Sequence, residues 1–330
     1  MIPFEFVTAR SFEAAAQLLA ESRRGDVLLK AGGIDVVDRL KEGLDRPKVI
    51  LNIRGLRPAR ADAVRKGDNG LTIHALATLT EINENEAVRT DYPAVAAGTR
   101  KPATPQVRNV ASLAGNLCQK PRCWYYRSLD FRCLKKGGDR CYAVNGDNRY
   151  HAVLGAGACH IVAPSSAAPS LMACGAMLRI GRYVDGKLSE RTLPIADFYR
   201  VPSNPQDDEF QLGHDELILD VTLPQSAAGR HSAYVELKEK QSFDWAMASC
   251  AVNLNERAAP RIVLGAVAPI PWRLPKVEQL VAGQKLTDTL IAEARRAAIA
   301  DARPMTNNGY KVTLAGAVLE HALRAADEGA

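Results

Sequence analysis

Apolar and polar positions change period several times along the chain, and each change marks an element. Ser11 precedes Phe12, Ala15, Leu18 and Leu19 at helical spacing, with Glu13 in the first turn, so a capped helix is expected there. Val27-Leu28-Leu29 then reads as a short buried strand, and Ala31-Gly32-Gly33 as a tight turn. Ile34, Val37, Leu40 and Leu44 form the face of a second helix, and Val49-Ile50-Leu51 closes a small βαβ-like unit.

Further on, residues 71–76 read as a strand, followed by a helix containing Ala87, Val88 and Val95. A small-residue stretch surrounds Ala114-Gly115-Asn116. Residues 171–180 and 191–193 read as strands either side of the turn Asp185-Gly186, and 217–223 as another, closed by Pro224. Residues 225–230, rich in Ser, Ala and Gly, mark the expected domain boundary. Strands at 233–238, 249–254 and 262–267 follow, then alanine-rich helices at 290–301 and 314–326.

Length and composition narrow the class. At 330 residues the chain exceeds what one hydrophobic core usually serves, and 47% apolar with 24% charged residues is ordinary for a globular protein. The net charge of +6 is too small and dispersed to argue for nucleic acid, and 6% aromatics is too few for base-stacking platforms. No apolar run approaches the ~20 residues of a membrane span, and the first residues lack a basic start with an apolar block behind it. Seven cysteines, an odd number in a large chain, fit a reducing compartment better than a disulfide framework. A cytoplasmic location is expected; export alongside a signal-bearing partner into the periplasm would leave no trace in this chain.

The cysteines carry the chemistry. Five of the seven (Cys118, Cys123, Cys133, Cys141 and Cys159) fall between residues 118 and 159, among Arg122, Arg127, Arg132, Lys135, Lys136, Arg140 and Arg149. Cys123, Cys133, Cys141 and Cys159 are separated by nine, seven and seventeen residues. Zinc sites usually use close CxxC pairs, which are absent. Four thiolates on widely spaced loop positions suit an iron–sulfur cubane, since the cluster itself is large. Zinc and unliganded thiols in an irregular insertion stay open on spacing alone. Cys118 is the outlier, and Cys174 and Cys250 are expected in core strands. The Gly32-Gly33 turn before a helix would admit a phosphate, because glycine lets the backbone approach and the helix start favours an anion; a plain turn is the alternative. Asp35 there reads as a helix stabiliser, and Asp207-Asp208-Glu209 as a solvated loop.

Together these stretches resemble a known family. Ala31-Gly32-Gly33, Ala111-Ser112-Leu113-Ala114-Gly115-Asn116-Leu117, and Leu264-Gly265-Ala266-Val267-Ala268 with Pro271-Trp272-Arg273 are similar to the FAD-binding medium subunit of the xanthine dehydrogenase family of molybdenum hydroxylases. Cys123-Trp124-Tyr125-Tyr126-Arg127, Cys133-Leu134-Lys135-Lys136-Gly137-Gly138 and Asn148-Arg149-Tyr150-His151-Ala152 resemble the branch whose medium subunit carries an extra [4Fe–4S] cluster, as in three-subunit bacterial aldehyde oxidoreductases and 4-hydroxybenzoyl-CoA reductase.

That resemblance implies an α+β fold. A vanillyl-alcohol-oxidase-type FAD domain over 1–225 would consist of subdomains at about 1–57 and 58–225, with the cysteine loop at 118–160, and a smaller C-terminal α/β domain would cover 227–330. It implies electron relay: a large molybdenum-cofactor subunit oxidises an aldehyde or N-heterocycle, and a small subunit with [2Fe–2S] clusters passes electrons to FAD. FAD would lie along Leu28, Leu29, Lys30, Ala31, Gly32, Gly33, Ile34, Asp35 and Val36, on Ser112, Ala114, Gly115 and Asn116, and near Ser166 and Lys238. The cluster would be held by Cys123, Cys133, Cys141 and Cys159. Asp244-Trp245-Ala246 resembles a segment near the flavin, with a core aromatic as the plainer reading of Trp245.

Four positions depart from the pattern on the flavin side. Ile34 replaces a usual Thr, Ala114 a Gly, Ser166 an acid and Glu236 a Lys, with Lys238 or Lys240 placed to compensate. These departures leave room for a structural subunit that keeps the cluster without flavin, and a zinc-stabilised binding module is a third reading.

Overall fold

A computed structural model describes residues 2–240 and 242–329. The chain builds three sheets in succession. The first is parallel, in the order β1 (Glu5–Thr8), β3 (Val49–Asn52), β2 (Val27–Lys30), with helices α1 (Phe12–Ala20) and α2 (Ile34–Lys41) as crossovers. Ser11 caps α1 by accepting a hydrogen bond from the Ala14 amide, and Ala15, Ala16 and Leu19 turn inward. The β1 strand was not expected, since a four-residue strand with mostly exposed side chains has no apolar pattern.

The second sheet is antiparallel, in the order β4 (Val64–Gly67), β5 (Gly70–His74), β8 (Glu216–Pro224), β6 (Met177–Val184), β7 (Lys187–Pro194). Between β5 and β6 run α3 (Leu79–Glu84), α4 (Glu86–Asp91), α5 (Pro93–Arg100), α6 (Pro105–Arg108), α7 (Leu113–Leu117), α8 (Trp124–Arg127) and α9 (Ala167–Ala173); α10 (Ile195–Phe198) precedes β8. The helix expected over 87–95 is two, broken at Tyr92, because Pro93 begins a new one. The strand expected over 171–180 is a correction. Residues up to Ala173 are helical, Gly175 turns the chain at φ +65°, and the strand starts at Met177. Every residue of α9 is buried, so it shows no helical alternation to read. Cys174 therefore ends a helix, while Cys250 does lie in a strand; both are buried.

The third sheet, order β12 (Trp272–Arg273), β11 (Arg261–Gly265), β10 (Ala248–Asn253), β9 (Ser232–Leu237), is antiparallel and covered by α11 (Pro275–Val281), α12 (Asp288–Ile299) and α13 (Tyr310–Glu328). Its apolar core joins Val252, Ile262 and Leu264 to Val318, Leu319 and Leu323. The α5 and α9 helices pack on the other side, and one apolar core joins them to strands of both the second and third sheets. No helix among the described residues is long and apolar enough to cross a membrane.

Candidate functional site

A cleft of about 630 Å³ opens where the β2–α2 turn, the loop into α7, the 208–218 segment and the 243–246 segment meet. Gly33 precedes α2 with φ +87°, a conformation that favours glycine. The amides of Ile34, Asp35 and Val36 begin α2 and have no intrahelical acceptor. Gly32 serves a different purpose. A Cβ there would sit 1.9 Å from the Val110 carbonyl oxygen, so its bareness lets the two glycine-bearing loops touch. In the second loop, the Ser112 hydroxyl accepts from the Gly115 amide at 3.2 Å, and Asn116 Oδ1 accepts from Ser165 Oγ at 2.6 Å. Cradle amides, a helix start and a close loop pair suit a dinucleotide pyrophosphate.

The cysteine loop lies beside this cleft. Cys123, Cys133, Cys141 and Cys159 line one small chamber with Tyr125, Tyr142, His151 and His160, and His151 Nε2 is 3.3 Å from Cys123 Sγ. Cys118 faces the large cleft instead. Among the described residues, no three His, Cys, Asp or Glu side chains converge tightly enough to hold a metal ion. A zinc ion needs four sulfurs at about 2.3 Å from one point. Sulfurs spread around a chamber suit a polynuclear cluster, in which each thiolate meets a different iron. Burial pushes the Cys123 thiol up to about 12 and Cys159 up to about 11, so a cationic centre is what would hold them as thiolates.

Asp35 ties chamber to cleft. Its carboxylate accepts from Arg39 at 3.2 Å, Arg127 at 2.7 Å and the Lys120 amide at 3.1 Å, and forms an ion pair with Arg122 at 2.9 Å. Burial opposes the charge, but Arg122 and Arg127 hold the carboxyl below its usual value. Asp35 is thus an anchor for the loop rather than a simple helix-end charge. The 207–209 segment is also corrected: Asp208 pairs with Lys120, and buried Glu209 pairs with buried Lys135. The loop's cations are therefore largely spent on internal acids; Arg132 and Arg140 remain exposed.

Two family models cover the chain. One, described as the FAD binding domain in molybdopterin dehydrogenase, matches residues 2–226. The other, the CO dehydrogenase flavoprotein C-terminal domain, matches residues 232–326. The chain belongs to the xanthine dehydrogenase and CO dehydrogenase family of FAD-binding medium subunits.

The FAD-binding subunit of the Escherichia coli (strain K12) aldehyde oxidoreductase is 32% identical over 297 residues, 89% of each chain. The carbon monoxide dehydrogenase medium chain of Hydrogenophaga pseudoflava is 25% identical over 336 residues, 99% of this chain and 98% of its own. The reconstituted CO dehydrogenase structure from Oligotropha carboxidovorans superposes with a TM-score of 0.74 at 18% identity over all of both chains, which shows the shared α+β fold. This medium subunit is thus an oxidoreductase component.

Within this FAD subunit, Leu28, Leu29, Ala31 to Val36, Ser112, Ala114, Gly115, Asn116, Ser166 and Lys238 all line the cleft. Lys30 does not; its ammonium bonds the Ala31 carbonyl at 3.2 Å and lies over Phe6. Glu236 does not stand alone in the wall, because Lys238 Nζ is 2.9 Å away and the Tyr234 hydroxyl donates to it at 3.0 Å. Lys238 rather than Lys240 is the compensating cation. Trp245 is 51% exposed at the cleft, under the Arg122 guanidinium at 4.8 Å, so the core-aromatic reading is overturned. Sequence reasoning missed Arg122, Asp208 and Phe210 as cleft residues. Only the dense cationic run hinted at Arg122; nothing local marked the other two.

Proposed function

We propose that this chain binds FAD in the large cleft and a [4Fe–4S] cluster in the cysteine chamber, as the electron-relay subunit of a molybdenum hydroxylase. It would work with a large molybdenum-cofactor subunit and a small [2Fe–2S] subunit, on aldehydes in the manner named for its 32%-identical relative. We read the chain as an FAD unit over 1–225 and a C-terminal unit over 227–330, acting in the cytoplasm or, with a signal-bearing partner, in the periplasm. The observation that carries the cluster assignment is that four cysteines distant in sequence line one small chamber, while no three His, Cys, Asp or Glu side chains among the described residues form a single-ion site.

Bound FAD supplies two-electron chemistry, and a bound cluster passes single electrons. The chain's own residues position and insulate them. The amides of residues 34–36 and the loop from Ser112 to Asn116 would hold the pyrophosphate and its neighbours, with Ser166 and Lys238 further along the wall. Cys123, Cys133, Cys141 and Cys159 would ligate iron. Trp124, Tyr125 and Tyr142 pack around the chamber and exclude water: Tyr125 lies 6.1 Å from both Trp124 and Tyr142, and Trp124 lies 5.6 Å from His151.

Purification with the partner subunits tests the reading. Flavin, iron and acid-labile sulfide are counted, and Cys133→Ser or Cys141→Ser is expected to remove about four irons per chain. Full iron retention in both variants refutes the cluster assignment. Stoichiometric zinc in place of iron refutes it equally.

A further inference from the structure

We infer that Asp35 couples the two cofactor sites, so that FAD binding and retention of the cluster strengthen each other through this one carboxylate. The inference rests on the cluster reading above. Asp35 is the second residue of α2, one position past the cradle amide of Ile34, and the first bond of that helix runs from the Val37 amide to the Gly33 carbonyl at 2.8 Å. Any shift of Asp35 therefore moves the turn that faces the cleft. The same carboxylate holds the cysteine loop at three places before and after Cys123: the Lys120 amide, Arg122 and Arg127.

Both arginines are themselves anchored. Arg127 donates from Nε to the Pro121 carbonyl at 2.8 Å and pairs with Glu42 at the end of α2 at 2.9 Å. Arg122 reaches Asp38 on the next turn at 3.3 Å. Its guanidinium also covers Trp245 at the opposite rim of the cleft. One helix, one cysteine-bearing loop and one rim of the cleft thus converge on a single carboxylate. Its side chain is 12% exposed, so water offers little substitute for the lost contacts.

Two sites that bias the same element must influence each other reciprocally. Ordering of the Cys123 segment by ligation fixes Arg122 and Arg127, these fix Asp35, and Asp35 fixes the cradle. A bare helix stabiliser would show no such linkage. It would alter protein stability and leave the ratio of FAD affinities between iron-loaded and iron-depleted protein unchanged.

The test uses the purified complex, iron-loaded and after chelator treatment, with FAD dissociation constants read from flavin fluorescence in each form. For the wild type, iron removal is expected to weaken FAD binding at least ten-fold. For Asp35→Asn the two forms should differ less than two-fold. Arg127→Met, which cuts the same link from the loop side, should behave likewise and covers the case in which the Asp35 variant does not fold. A wild-type ratio below two-fold overturns the inference, as does a ten-fold ratio that survives in a folded variant. A complex that purifies with no iron beyond that of the small [2Fe–2S] subunit refutes the cluster reading and the inference together. An iron-loaded complex without coupling refutes the inference alone.

Discussion

The Gly32→Ala exchange tests the cleft most directly. At Gly32 an added Cβ meets the Val110 carbonyl oxygen at 1.9 Å and its carbon at 2.8 Å, both backbone atoms that no rotamer change can move. Ordinary contact lies near 3.5 Å, so the two glycine-bearing loops must part by about 1.5 Å. Strain of this kind in a packed site costs about 1–3 kcal/mol, or 5- to 150-fold in a binding constant when the relaxed state is the one that binds ligand. Gly33→Ala is the internal control. Its φ of +87° adds the left-handed penalty of about 1–2 kcal/mol, but its Cβ comes nearest the flexible Lys30 side chain, at 3.2 Å, with Val37 Cγ2 at an ordinary 3.6 Å. Flavin content and FAD dissociation constants of the two variants should rank Gly32→Ala below Gly33→Ala. Wild-type affinity in Gly32→Ala refutes the reading that loop contact builds the cradle.

Three further outcomes follow from buried charges. Glu209→Gln strands the buried Lys135 ammonium, which should lower stability by about 3–5 kcal/mol and loosen the loop around Cys133; an unchanged urea midpoint and full iron content contradict this. Lys238→Met leaves Glu236 uncompensated in the cleft wall and should weaken FAD by about 10- to 100-fold, the scale of an unpaired charged contact. Adding Glu236→Gln should restore binding, and failure to do so removes the charge argument. Lys311 is buried against the carbonyls of Tyr150, His151 and Ala266, and burial pushes its ammonium down to about 7. Its folded value lies below the unfolded one, so the unfolded chain binds the extra proton and stability should rise between about pH 7 and pH 10. Urea midpoints across that range should flatten in Lys311→Met, and an unaltered slope refutes the assignment.

Much of the architecture was legible because it rests on local pattern. The Ser11 cap, the β2–α2 turn, the β6–β7 hairpin at Asp185-Gly186 and the strands of the third sheet all follow from spacing and turn chemistry within a few residues. Two of the misses share one cause. The α9 helix is buried on all sides and β1 is nearly bare, so neither carries the one-sided polarity that periodicity detects.

Sequence by itself determined the inventory: two glycine loops, four spaced cysteines and a loop crowded with cations. Only the tertiary structure decided what those charges do. Acids at 35, 38, 42, 208 and 209 come from segments far away in the chain, yet they neutralise the cysteine loop from two sides. Charge pairing across such separations depends on where the backbone returns, and no local spacing encodes that return. The same reason turned Glu236 from an apparent obstacle into half of an ion pair, and Lys30 from a cradle residue into one that faces away.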